Sequence, residues 1–102
     1  MKSSSVLNIE TNLYANNNII IHPNAGYDLG LLNHSTPVKI FANTSIDIFK
    51  SADEQFFEGS IILENNCKQG SVQLSKKYWN LIGKPERIIL HYEDNKILIS
   101  NF

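Results

Sequence analysis

The chain has 102 residues, of which 42% are hydrophobic and 19% charged, so it can build one compact domain and is not a disordered tail. Its formal net charge of −1 excludes a nucleic-acid binder of the basic-tail type, although a local basic patch is compatible with it. Cys67 is the single cysteine, which excludes an internal disulfide and a multi-cysteine metal cluster. No apolar run reaches the roughly 18 residues of a membrane span. The lone cysteine and a start without an apolar leader segment predict a cytoplasmic protein.

The predicted strands are short and separated by tight turns, as expected from abundant isoleucine and asparagine. Alternating apolar positions and compact β-branched runs mark these strands. They are predicted over residues 6–10, 19–21, 38–41, 46–49, 56–64, 72–74, 87–92 and 96–99. Residues 42–45 and 93–95 are interpreted as hairpin turns that join the strands beside them.

Two short helices are predicted between the strands. Asn24 can cap the first helix, and Ser75 can cap the second. Tyr78, Leu81 and Ile82 have the spacing of one helical face, which we expect to pack against the sheet.

An internal repeat is predicted because both halves read strand, short helix, proline, strand, hairpin turn and strand. The repeat covers about residues 19–49 and 70–100 within a single compact domain of residues 1–102. One constant shift along the sequence superimposes the second half on the first without a gap from Tyr27 onward. The matched pairs are Tyr27 with Tyr78, Val38 with Ile89, Phe41 with Tyr92, Asn43 with Asp94, Ile46 with Ile97 and Ile48 with Ile99. The alternative is chance, since apolar positions alternate in any β-rich chain.

These patterns predict a mainly β fold, a small barrel or sandwich with two short helices and two similar halves. The expected core combines apolar positions from both halves. It comprises Ile19, Ile21, Leu31, Val38, Ile40, Ile48, Val72, Leu74, Ile82, Ile89 and Ile99.

Residues 70–99 read GSVQLSKKYWNLIGKPERIILHYEDNKILI. This segment resembles the AbrB/SpoVT/MazE swapped-hairpin family of small β-barrel domains. The residues that fit the family pattern are Gly70, Val72, Leu74, Ile82, Gly83, Ile89, Tyr92, Asp94, Asn95, Lys96, Ile97 and Ile99. The resemblance implies that two such units interlock, from two chains or from one tandem chain. The family commonly has proline where Ser75 stands and arginine where Trp79 and Asn80 stand, so this chain departs from it there.

Two functions of different classes remain open. The resemblance implies an AbrB-like DNA-binding transcription regulator or antitoxin-type protein, which would contact DNA phosphates. Its candidate contacts are Lys76, Lys77, Lys84 and Arg87. The alternative is a protein-interaction module of a phage or mobile element that inhibits a host enzyme or defence system, with Phe56, Phe57 and Trp79 as interface residues. Trp79 is either an exposed anchor or a residue packed under the other repeat, and either kind of protein could form a homodimer.

The sequence has no catalytic signature, and we expect neither an enzyme nor a cofactor or metal site. Cys67 has no histidine nearby in sequence and is interpreted as a small, partly buried side chain. His22, His34 and His91 are too widely spaced for a local metal-ligand pair. Residues 53–58 place three acids around two phenylalanines, either as a solvated loop or as an acidic and aromatic contact surface.

Overall fold

The computed structural model describes residues 1–42, 44–51 and 56–102 of the chain. Strands dominate the described residues, and three short helices connect or cover them. The strands are β1 (Lys2–Ser3), β2 (Leu7–Thr11), β3 (Asn18–Ile21), β4 (Ser35–Ala42), β5 (Phe57–Leu63), β6 (Ser71–Leu74), β7 (Arg87–Glu93) and β8 (Lys96–Asn101). The helices are α1 (Pro23–Asp28), α2 (Ile46–Ser51) and α3 (Lys76–Leu81).

The strands form one sheet in the order β1-β7-β2-β6-β3-β5-β4-β8. Strand β7 also pairs with β8, so the sheet closes on itself as a barrel and only the two-residue β1 lies outside the ring. The pairs β2–β6, β3–β5 and β4–β8 are parallel, and the remaining pairs are antiparallel. Closure removes the long unpaired edge that an open sheet would expose. The prediction of a mainly β barrel is confirmed.

Strand direction decides which connections meet at each end of the barrel. Because β2 and β6 are parallel, the turn 12–17 after β2 lies at the same end as α3, which follows β6. Strand β3 runs antiparallel to β6, so α1, which follows β3, lies at the opposite end. We call these the α3 end and the α1 end.

The barrel interior holds the main core, and most of the expected core is found there. Nine expected residues are buried: Ile19, Ile21, Leu31, Val38, Ile40, Val72, Leu74, Ile82 and Ile99. Two expectations are wrong. Ile48 is 43% exposed, and Ile89 is only half-buried because its neighbours Ile88 and Leu90 point into the barrel instead.

The strand predicted over residues 46–49 is wrong, since this segment is the helix α2. The backbone N–H of Ile48 donates to the Ser45 hydroxyl at 3.3 Å, which caps the first turn. Phe49 is fully buried and packs edge-on against Phe41, with 5.5 Å between ring centroids. Phe41 lies next to the inward-facing Ile40 on β4 and so points to the outer face, where α2 covers it.

Helix α2 also raises the number of helices from the two predicted to three in the described residues. It stands where the repeat required a strand, so the matches of Ile46 with Ile97 and of Ile48 with Ile99 are wrong. The predicted turn residue Asn43 and residues 53–55 of the acidic and aromatic segment lie outside the described residues. The cap of α1 is also corrected, because the His22 Nδ1 atom accepts the N–H of Asn24 at 3.0 Å and Asn24 lies inside the helix.

Gly59 on β5 lies where two segments approach closely. A Cβ atom there would overlap the carbonyl oxygen of Asn17 and would lie 2.7 Å from Ile40 Cδ1. We therefore expect Gly59→Ala to lower the free energy of unfolding by about 1–3 kcal/mol, measured by denaturant unfolding. Gly70→Asn is the control, because Gly70 has a φ of +79° that asparagine tolerates and open space around it. Equal losses from both substitutions would contradict the prediction.

Candidate nucleic-acid interface

Helix α3 forms as the sequence predicted. The Ser75 hydroxyl accepts the backbone N–H of Tyr78 at 3.4 Å and caps the first turn. Gly83 follows the helix with a φ of 88°, and Lys84 continues in the left-handed region with a φ of 55°. The N–H of Lys84 donates to the carbonyl of Trp79 at 2.8 Å. These contacts fix the direction in which the chain leaves α3 towards β7.

Lys76 and Lys77 occupy the exposed first turn of α3. The Lys77 ammonium lies 4.5 Å from the centroid of the Phe57 ring and 5.7 Å from that of Tyr78. Both rings hold the lysine by cation–π attraction while its exposed side chain keeps a path to solvent. In residues 1–42, 44–51 and 56–102, neither lysine is within salt-bridge distance of a carboxylate.

Lys84 lies on the connection from α3 into β7, Arg87 is the first residue of β7, and both are exposed. The Lys84 ammonium is 5.8 Å from the centroid of the Trp79 ring, and the Arg87 guanidinium carbon is 5.1 Å from that of Phe102. Neither makes a salt bridge within the part of the chain that the structure describes. The four predicted cations therefore lie on consecutive parts of the chain, from the first turn of α3 to the first residue of β7.

The three predicted interface aromatics are all half-buried. Phe56 packs on Phe41, with 6.0 Å between ring centroids, and Phe57 meets Tyr78 edge-on at 5.4 Å. The indole N–H of Trp79 donates to a backbone carbonyl, that of Pro85, at 3.0 Å. Each of these rings also has a lysine ammonium within 6 Å of its centroid: Lys39 for Phe56, Lys77 for Phe57 and Lys84 for Trp79. Internal contacts thus use much of the ring surface that a protein partner would need.

Sequence reasoning missed the most exposed apolar pair at the α3 end. Leu13 and Tyr14 lie in the turn 12–17 and are 82% and 87% exposed. The only signal in the sequence is their place between asparagines, where turn residues flank a bulky pair. Neither residue contributes to the core, which makes both available to a ligand.

The cysteine and histidine side chains are the groups that could act as nucleophiles or bases, and each makes contacts within the fold. Burial raises the pKa of the Cys67 thiol, with a smaller contribution from Glu10, and a thiol with a raised pKa is a weak nucleophile. Burial also lowers the pKa of His91, whose Nδ1 lies 2.7 Å from the Ser3 hydroxyl. At the α1 end, the Nε2 atom of His34 lies 3.3 Å from the Oε1 atom of Glu64. Among the residues that the structure describes, no three histidine, cysteine, aspartate or glutamate side chains are placed to hold a metal ion.

Scans of protein-family models, curated proteins and solved structures find no match to this chain. The resemblance of residues 70–99 to the swapped-hairpin family therefore stays a prediction. Within the described ranges, no helix has both the length and the apolar character that crossing a membrane requires.

Proposed function

We propose that the chain is a DNA-binding protein that contacts phosphates through the α3 end, as an AbrB-like transcription regulator or antitoxin-type protein of the cytoplasm. The observation that supports this most directly is the exposure of the four cations between the start of α3 and the start of β7, which are Lys76, Lys77, Lys84 and Arg87. In the described residues none of them has a carboxylate within salt-bridge distance. Phosphate oxygens are the natural partners of such unpaired cations in a DNA-binding protein.

Local electrostatics also support the proposal. Two lysines in the first turn of α3 oppose the helix dipole, a small unfavourable term that a bound phosphate would offset. Because the net charge is −1, attraction to a phosphate has to come from a local group of cations and not from the molecule as a whole. Phosphate contacts of this kind position the duplex and do not read its sequence.

A relationship between two halves of the chain is part of the same proposal. The helix caps His22 and Ser75 are separated by the same number of residues as the following glycines Gly30 and Gly83, which both have positive φ. The pairing of β2 with β6 and β7 has the same directions as the pairing of β5 with β3 and β4. We propose that β2-β3-α1-β4 and β5-β6-α3-β7 are two related units, with α2 and β8 added to them. Such a chain would correspond to a tandem swapped-hairpin pair.

Salt dependence tests the phosphate contacts. If four cations meet phosphates, the slope of log K against log salt should be about −3 to −4. Replacing Lys76 and Lys77 with alanine should make that slope shallower by roughly two units, because two released counterions are lost. Fluorescence anisotropy of a labelled duplex between low and moderate salt gives both slopes.

The matched control is the double substitution of Lys2 and Lys68 with alanine. Both lysines are exposed, and they lie away from α3, on β1 and on the connection between β5 and β6. The control has the same net charge as the Lys76 and Lys77 variant, so any difference reports position and not total charge. Absence of duplex binding at low salt, or equal slopes for the two double variants, would reject the proposal.

The alternative is a protein-interaction module of a phage or mobile element that inhibits a host enzyme or defence system. The observation that favours it is the exposure of Tyr27 and Leu32, 74% and 81%, in and just after α1. Large exposed apolar side chains are available to a protein partner. A pull-down from lysate with and without nuclease separates the two proposals, since a protein partner survives nuclease and a DNA-mediated one does not.

A further inference from the structure

We propose that Tyr14 stacks on an unpaired nucleobase and that the α3 end thereby favours single-stranded over duplex nucleic acid. This inference rests on the proposed function, because it adds a base contact to the phosphate contacts of Lys76 and Lys77. Tyr14 is 87% exposed at the tip of the turn 12–17, although its ring is large and mostly apolar. An aromatic ring in that position can accept a base on its face.

The turn that presents Tyr14 is held in place by hydrogen bonds. The Oδ1 atom of Asn12 accepts the N–H of Tyr14 at 2.9 Å, while its Nδ2 atom donates to Gln73 Oε1 at 2.8 Å. At the other side of the turn, the Tyr78 hydroxyl donates to Asn17 Oδ1 at 3.3 Å. The exposed ring therefore stands on a backbone that is tied to β6 and α3. A fixed platform loses little conformational freedom when a base stacks on it.

The same bonds place the turn of Tyr14 at the end of the barrel that carries the lysines. The backbone N–H of Asn12 donates to the carbonyl of Leu74 at 2.8 Å, and Lys76 follows Leu74 by two residues. Lys77 lies over the ring of Tyr78, whose hydroxyl bonds to the far side of the turn. A nucleic-acid strand whose phosphates meet these lysines would therefore lie at the same end of the barrel as the exposed ring.

A cationic surface beside an exposed aromatic ring is the arrangement by which proteins hold single strands. In a duplex the faces of the bases are already stacked on one another, and a side chain on a surface turn cannot replace them without unstacking energy. The presence of Tyr14 and of these lysines at one end of the barrel therefore favours a strand whose bases are free to stack. The chemistry recognised is a nucleobase face with its flanking phosphates, in DNA or RNA.

The test compares labelled oligo(dT), oligo(U) and a duplex of equal length by fluorescence anisotropy at one salt concentration. We expect tighter binding to the single strands than to the duplex. Tyr14→Ala should weaken single-strand binding about 5- to 150-fold and leave duplex binding nearly unchanged. Tyr14→Phe should retain the affinity, because it keeps the stacking face. The two single-stranded probes show whether DNA or RNA is the better source of the base.

Tyr27→Ala is the matched control, since Tyr27 is also a highly exposed tyrosine but lies on α1 at the opposite end of the barrel. It should leave all three affinities unchanged. Duplex binding that depends on Lys76 and Lys77, together with a Tyr14→Ala variant that binds single strands as the native chain does, would overturn this inference and leave the proposed function standing. An equal loss in Tyr14→Ala and Tyr27→Ala would also overturn it. Failure of the native chain to bind any of the probes at low salt would reject both proposals.

Discussion

Replacement of Tyr78 by alanine is expected to lower the free energy of unfolding by about 3–5 kcal/mol, the range typical of a large aromatic removed from a core. Tyr78 is fully buried and is the residue of α3 that fills the barrel at that end. Its ring meets Phe57 edge-on, with centroids 5.4 Å apart, and its hydroxyl donates to Asn17. Alanine would leave a cavity beneath the helix and would also free the Asn17 side chain. For a chain of this length, the loss is a large part of the total stability.

Denaturant unfolding of the native chain and of two variants tests this expectation. Tyr78→Phe keeps the ring and removes only the hydroxyl, so we expect it to lower the free energy of unfolding by about 0.5–1.5 kcal/mol. The difference between the phenylalanine and alanine variants then measures the packing of the ring. If Tyr78→Ala unfolds at nearly the same denaturant concentration as the native chain, α3 does not close the barrel in the way described.

The segment around Tyr78 is also where sequence reasoning succeeds, because local rules decide its structure. Ser75 caps α3 and Gly83 follows it with positive φ, as their side chains and backbone freedom predict. Tyr78 and Ile82 face the core at the spacing of one helical face, although Leu81 stays 39% exposed. Hydrogen bonds and caps within a few residues are enough to define this helix.

The failures occur where distant partners decide the structure. The segment Ile46–Ser51 alternates in polarity like a strand, but it becomes a helix because Phe49 fits the outer surface formed by Phe41 and Leu98. That surface exists only after β4 and β8 have paired, which the local sequence does not encode.

Distant partners also decide which side chains of a strand point into the barrel and which residues are exposed at the candidate site. In the apolar run 88–90 every side chain suits a core, so the sequence alone does not decide whether Ile88 or Ile89 points inward. The pairing of β7 with both β2 and β8 determines that Ile88 points into the barrel. The exposure of Tyr14 is likewise not predictable from the local sequence. It depends on a turn that is fixed by Gln73 and Tyr78, about sixty residues along the chain.

Trp79→Ala is expected to lower the free energy of unfolding by about 3 kcal/mol, at the lower end of the range for a buried tryptophan, because the ring is half-buried. The indole N–H bond to the Pro85 carbonyl fastens α3 to the segment that leads into β7. The Lys84 ammonium lies 5.8 Å from the ring centroid, so the ring also helps to position that lysine. Because these contacts are internal, the variant should lose stability while a folded fraction keeps the salt slope supplied by Lys76 and Lys77.

Trp79 is the only tryptophan of the chain, so its fluorescence reports this position alone. We expect emission between that of a buried and that of a fully exposed indole, with partial quenching by iodide. Trp79→Phe is the control, since it keeps an aromatic ring while it loses the N–H bond and part of the ring surface, and it should lower the free energy of unfolding by about 1–2 kcal/mol, less than Trp79→Ala. An interface anchor would behave in the opposite way. Its removal would leave the melting temperature unchanged and weaken partner binding by about thirtyfold or more, and that result would restore Trp79 as the contact of a protein-interaction module.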